Sequence, residues 1–219
     1  MKKKNSKTIL VALGTLVAFA LWTFLIRCVD VQPIGPNGSR VGFAAINGAF
    51  HALTGVHWAL YTLTDWLGLV PIGIALGFAV LGLVQLIRRK SLLKVDRDIL
   101  ILGGFYIVVL AAYLLFETVV INFRPVLIDG KLEASYPSST TMLALCVLPT
   151  AMMQLRTRIR GDAVRRAILG ILAAFTVFMV VGRLISGVHW LTDIIGGVLL
   201  SVGLVMLYAF ATKRQGKSR

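Results

Sequence analysis

The chain has 219 residues, 58% of them hydrophobic, with mean hydropathy +0.86 and formal net charge +14. Such apolarity excludes an ordinary soluble domain and indicates an integral membrane protein. No aromatic stripe interleaves with the basic residues, which excludes nucleic acid as the reason for the charge. Eighteen of the 23 Lys and Arg residues fall in four clusters: Lys2, Lys3, Lys4 and Lys7; Arg88, Arg89, Lys90, Lys94 and Arg97; Arg156, Arg158, Arg160, Arg165 and Arg166; Lys213, Arg214, Lys217 and Arg219. If all four face the cytoplasm, the positive-inside rule holds at every loop.

In chain order, the apolar run from Thr8 to about Cys28 is too long for a typical signal-peptide core. No Ala-x-Ala pattern follows it, so it reads as a first span running outward. Residues 30–41 form a turn-rich outer loop. Residues 42–58, with His51 and His57, read as an interfacial or re-entrant helix. The second span is expected over about Trp66–Ile87 and the third over about Ile99–Phe123, stopped at Arg124-Pro125. A polar loop, Val126–Tyr136, precedes a fourth span opened by Pro137-Ser138-Ser139-Thr140 and closed near Gln154. The fifth covers about Ala167–Ile185. The sixth runs from near His189 to Thr212. The fold expected is an all-α, six-helix membrane bundle with both termini cytoplasmic and a single domain over 1–219. Trp22, Trp58, Trp66 and Trp190 read as an interface belt. Cys28 and Cys146 have no partner spacing or metal motif and read as buried small hydrophobes.

Six spans bring the ends of spans three and five and the starts of spans four and six to one face. Arg124, Ser138, Ser139, Thr140, Arg183, His189 and Asp193 then share one depth. Ionisable groups there are costly and mark function. His189 and Asp193 are four apart, so on a helix they share a face and can touch. A carboxylate on one ring nitrogen fixes the tautomer and frees the other as nucleophile or base. Arg183, six residues before His189, points to an anionic substrate, of which phosphate is the commonest. Arg124 and Arg183 offer forked donors to phosphate oxygens. The helix start at Ser138–Thr140 offers backbone N–H groups to an anion. Gly55-Val56-His57-Trp58 echoes Gly187-Val188-His189-Trp190. The next carboxylate after His57 is Asp65, eight residues on, so the echo reads as coincidence.

Arg124-Pro125, Pro137-Ser138, and Arg183, His189 and Asp193 at their spacings resemble the type 2 phosphatidic acid phosphatase family over roughly residues 95–205. Its pattern is Lys, six residues, Arg-Pro; then Pro-Ser-Gly-His; then Ser-Arg, five residues, His, three residues, Asp. The resemblance implies a metal-independent membrane phosphatase without a cofactor. Its substrate would be a lipid phosphate monoester or a polyprenyl or other lipid diphosphate. It implies a phosphohistidine on His189, orientation by Asp193, and phosphate held by Arg124 and Arg183. The chain departs from the pattern at Glu117, where the family has its lysine, and at Thr140, where the family has the histidine that protonates the leaving group. Ser139 and Gly182 also replace a family Gly and Ser. Glu117, seven residues before Arg124, is expected about two helical turns away on the same face. There it can pair with Arg124 or Arg183, contact a cationic head group, or, if protonated, act as acid. His57 is a further candidate acid. Two other functions stay open: a weakened relative that binds or moves anionic lipids, and a lipid phosphotransferase. The basic N-terminus fits a bacterial inner membrane, with the site facing outward.

Overall fold

The computed structural model describes residues 2–213, with side chains from residue 6 onward. The side chains of Lys2, Lys3 and Lys4, and Arg214, Lys217 and Arg219 altogether, lie outside the described residues. The eight α-helices are α1 (Lys2–Cys28), α2 (Ala44–Thr54), α3 (Trp58–Leu67), α4 (Leu69–Arg89), α5 (Arg97–Thr118), α6 (Ser139–Arg158), α7 (Asp162–Ile185) and α8 (Leu191–Lys213). Among the described residues there is no named strand, only three isolated antiparallel bridges.

Five helical stretches are long and apolar enough to cross a bilayer: Ser6–Cys28, the nearly continuous α3–α4 stretch Trp58–Arg89, α5, α7 and α8. The expected fourth span, α6, falls outside that criterion despite its 20 residues. It packs against α4, α5, α7 and α8. A helix surrounded by other helices has little lipid to face. Thr141, Thr150 and Gln154 can therefore be buried on it beside Met142, Cys146 and Leu148. The main core joins Leu102, Phe105 and Val109 of α5 to Met142 and Cys146 of α6 and to Leu200, Leu204 and Tyr208 of α8. Helix α1 lies along α8 and turns Leu10, Val17, Leu21 and Phe24 outward, the face a lipid environment requires.

Several boundaries differ from the sequence reading. The re-entrant segment is two elements, α2 and the start of α3, and the second span begins at Trp58. Helix α5 stops at Thr118 instead of Phe123, so Arg124 is not on a helix and does not share a face with Glu117. Helix α8 starts at Leu191, which leaves His189 in the turn before it. Trp190 is no belt residue: it is buried and donates from Nε1 to the Phe123 carbonyl at 2.8 Å. Trp58 and Trp66 are exposed. Cys146 is buried as expected, whereas Cys28 is exposed.

One end of the bundle gathers the C-termini of α5 and α7 and the N-termini of α6 and α8. The other end carries the central basic clusters. There Arg158 pairs with Asp98 at 2.8 Å and Arg89 with Asp96 at 2.8 Å.

Candidate active site

The segment after α5, read as a polar loop, is a short two-stranded ribbon. Phe123 bridges Ala134. The Arg124 N–H donates to the Glu133 carbonyl at 3.0 Å, and the Ser135 N–H to the Asn122 carbonyl at 2.9 Å. Side chains alternate across an extended ribbon. Asn122 and Arg124 on one arm, with Glu133 and Ser135 on the other, therefore share a face. That face carries the site contacts.

His189 stands at the centre, 3% exposed, with Arg183 at 1% and Asp193 at 0%. Arg124 Nη1 lies 3.3 Å and Arg183 Nη2 3.4 Å from His189 Nε2. Guanidinium N–H groups only donate, so Nε2 is the accepting nitrogen and Nδ1 carries the proton. That N–H donates to Ser135 Oγ at 3.0 Å, and the Ser135 hydroxyl donates to Asp193 Oδ2 at 2.5 Å. Burial first, then the charges of Arg124 and Arg183, hold the His189 imidazole well below its ordinary value of 6.5. It is neutral near pH 7, with its lone pair toward the two arginines.

This corrects the expected direct His189–Asp193 contact on one helix face. Because His189 precedes α8, Asp193 reaches back to its own turn. Its Oδ2 accepts from the Trp190 N–H at 3.0 Å, and its Oδ1 from Asn122 Nδ2 at 3.2 Å. Ser135 stands between the carboxylate and the imidazole.

The arginines are held from outside. Arg124 Nε lies 3.1 Å from Glu133 Oε2, an ion pair without hydrogen-bond alignment, so Nε remains an unpartnered buried donor. Arg183 stacks over the Tyr61 ring at 4.9 Å, with Nη1 3.4 Å from Thr64 Oγ1 and 3.6 Å from Asp65 Oδ1. All three partners belong to α3. Arg183 Nε and Ser138 Oγ are likewise buried without partners. Unpartnered buried donors are costly, and these three belong to residues that the sequence reading expected to hold an anion. The α8 start is fixed by Asn47 of α2, whose Nδ2 donates to Thr192 Oγ1 at 2.9 Å and whose Oδ1 accepts from the Thr192 N–H at 3.2 Å.

Two glycines permit close approaches that no side chain could. Gly187, at φ +71°, would place a Cβ 1.9 Å from the Gly55 carbonyl oxygen. Together with the His57 N–H donating to the Ser186 carbonyl at 3.0 Å, this packs the two echoing segments against each other. The His57 ring instead binds the Thr54 carbonyl at 2.8 Å and is exposed. Gly196 of α8 lies under the Tyr136 ring, which would sit 2.3 Å from an added Cβ. The Tyr136 hydroxyl is 2.7 Å from Thr23 Oγ1.

Glu117 is exposed at the end of α5 and pairs with neither arginine; Glu133 and Asp65 take those places. It lines a narrow cleft with Tyr113, Ser135, Ser139 and His189. Thr140 does not line that cleft. It faces an apolar groove between α4, α5 and α6, which shares Tyr113, Ser139 and Met142 with the cleft. A second apolar groove continues between α4 and α5 from Ala79 and Tyr106.

The structure thus gathers Arg124, Arg183, His189 and Asp193, with Ser138 and Ser139 beside them. The sequence reading missed Ser135, Asn122, Glu133, Tyr61 and Asn47. The alternations Asn122-x-Arg124 and Glu133-x-Ser135 were the available signal for the ribbon. Nothing local pointed to α3 or α2.

The geometry accords with the comparisons. Residues 116–217 match the family model described as the PAP2 superfamily. A solved structure described as a transmembrane PAP2 type phosphatidylglycerolphosphate phosphatase from Bacillus subtilis superposes with TM-score 0.61 at 19% identity. It covers 95% of this chain and 98% of that one. Comparison with curated proteins gives no significant match. The PAP2 superfamily match thus spans just under half of the chain, and the chain has a multi-pass, all-helical membrane fold like that of the solved structure.

Proposed function

We propose that the protein is a metal-independent lipid phosphatase that works through a phosphohistidine on His189. The observation that carries this is the convergence of two guanidinium groups, at 3.3 and 3.4 Å, on the nitrogen of a buried neutral imidazole. A phosphoryl group entering there displaces the arginine contacts from Nε2 onto its own oxygens and leaves the lone pair facing phosphorus. Phosphoryl transfer is mainly positioning and charge stabilisation. Arg124 and Arg183, the Ser138 hydroxyl and the first N–H groups of α6 supply both. As Nε2 bonds to phosphorus, the P–O bond to the lipid breaks; the lipid oxygen leaves as an alcohol that takes its proton from solvent, or as a phosphate when the substrate is a diphosphate. Water then attacks the phosphohistidine, releasing inorganic phosphate and free His189.

The apolar groove opening beside Ser139 suits a lipid tail, so the substrate is a lipid phosphate monoester or diphosphate. A diphosphate leaves more readily without an acid, which matters because Thr140 carries no titratable group near neutral pH. Six spans, with α6 as the fourth, put both termini in the cytoplasm and the site at the outer face, as in a bacterial inner membrane. The core extends over about residues 95–205 of one membrane domain.

The test is phosphate release from vesicles containing phosphatidic acid, a lipid phosphoglycerophosphate or a polyprenyl diphosphate, for wild type and His189→Ala, with and without chelator. Release that depends on His189 and ignores the chelator is expected. Release that survives His189→Ala and stops with chelator overturns the mechanism. A second reading, a relative that binds or moves anionic lipids, draws on Glu117 lining the cleft and Thr140 facing the groove. Binding without release from any vesicle supports that reading. Appearance of the phosphoryl group on an added lipid alcohol supports a phosphotransferase.

A further inference from the structure

We infer that the Ser135 hydroxyl is the positioning residue through which Asp193 acts on His189. The inference rests on the reading of His189 as the nucleophile. The hydroxyl links the two groups in one direction, and the Ser135 backbone also lies against the imidazole. His189 Nδ1–H donates to Ser135 Oγ at 3.0 Å, and Ser135 Oγ–H donates to Asp193 Oδ2 at 2.5 Å. All three groups are buried, with Ser135 at 2% exposure. A hydroxyl accepts and donates at once, so it fits between a ring N–H and a carboxylate without leaving either unsatisfied.

The rest of Asp193 is committed elsewhere. Asn122 Nδ2 donates to Oδ1 at 3.2 Å and the Trp190 N–H to Oδ2 at 3.0 Å. This fixes the carboxylate with one lone pair aimed at Ser135. Ser135 is fixed in turn by its own N–H on the Asn122 carbonyl at 2.9 Å and by the neighbouring Tyr136, buried against Gly196. Asn122 thus holds both ends of the Ser135–Asp193 pair, through its side chain and its carbonyl.

When Nε2 bonds to phosphorus, the imidazole gains positive charge and its Nδ1–H becomes a stronger donor. The Ser135 hydroxyl accepts that hydrogen bond and passes the polarisation to the anionic Asp193. Chains of hydrogen bonds strengthen one another in a low-dielectric interior. The serine therefore gives the carboxylate its hold on the imidazole without direct contact. The benefit falls on the chemical step and not on substrate binding, because none of these contacts involves the phosphate side of the ring.

The test compares wild type with Ser135→Ala, Ser135→Thr, Asp193→Asn and the Ser135→Ala/Asp193→Asn double variant. The kinetic expectation is a fall of about 10²-fold or more in kcat for Ser135→Ala, in line with the loss of an imidazole-orienting group, with KM within about threefold. Ser135→Thr, which keeps a hydroxyl, recovers most of it. The double variant is no worse than the poorer single variant, because both cut one chain. A kcat for Ser135→Ala within about threefold of wild type, or losses that multiply in the double variant, overturns the inference.

A second measurement does not need turnover. The chain has three histidines, so nitrogen-15 labelling of histidine resolves His189 once His189→Ala assigns it. Asp193→Asn shifts the His189 Nδ1 resonance in the wild-type background and leaves it unmoved in the Ser135→Ala background. An equal shift in both backgrounds overturns the coupling through Ser135. Absence of phosphate release from wild type, with the resonance coupling intact, instead overturns only the reading as a phosphatase.

Discussion

The guanidinium–imidazole contacts set the behaviour of His189. Two cations and full burial depress its protonation, so the neutral, nucleophilic form persists below the ordinary value of 6.5. The acid limb of kcat/KM is therefore expected well below pH 6.5. Arg124→Gln removes one depressing charge, so the His189 midpoint rises toward 6.5 in a nitrogen-15 titration; a midpoint that falls or stays fixed contradicts the arrangement. The same depression has a stability sign. Between the folded midpoint and 6.5 the unfolded chain takes up a proton that the folded chain refuses. This contribution is fully present above 6.5 and is lost as pH falls below it. Arg183→Lys keeps the charge but loses the planar fork and the stack on Tyr61. We expect roughly a 10-fold or greater loss in kcat/KM with the fold intact, read by vesicle assay beside a size-exclusion profile.

At the scale of elements, the site is the meeting of helix ends with one ribbon. The two glycine contacts hold that meeting closed. Gly187→Ala puts a Cβ onto the Gly55 carbonyl and demands a left-handed backbone from alanine. The strain of such a backbone alone is about 1–3 kcal/mol, so a clear drop in the thermal midpoint in detergent is expected. An unchanged midpoint denies the packing of the two Gly-Val-His-Trp segments. The sequence reading placed most of the long helices to within a few residues, because apolar runs between charged clusters are strong signals. It placed Arg124, Arg183, His189 and Asp193 together from topology alone. It misjudged how they connect, since helix α5 ends at Thr118 and α8 begins at Leu191. Those few residues convert a helix-face pair into a relay through Ser135. The roles of α3 and Asn47 were illegible because their contacts span more than a hundred residues and leave no periodic trace.

For the molecule as a whole, the proposed orientation rests on charge. The described basic clusters at residues 88–97 and 156–166 lie at the end opposite the site, and the ribbon lies at the site end. With Cys28 replaced, a cysteine at Lys131 is expected to react with an impermeant thiol reagent in intact cells, and one at Arg160 to stay protected. The reverse pattern places the site at the inner leaflet. The departures at Glu117 and Thr140 act at this scale too, because Glu117 lines the cleft and Thr140 the apolar groove that adjoins it. Glu117→Lys adds a third cation to the cleft and is expected to tighten binding of inorganic phosphate as a competitive inhibitor. Unchanged or weaker inhibition places Glu117 outside the phosphate's reach. The central claim, that His189 carries the phosphoryl group, is tested most directly by rapid quench. Wild-type protein is mixed with lipid phosphate carrying radioactive phosphorus, quenched in base, and mapped by peptide. The account predicts acid-labile, base-stable label on the peptide containing His189, absent in His189→Ala. Phosphate release with no label on the protein, or with label on another residue, contradicts it.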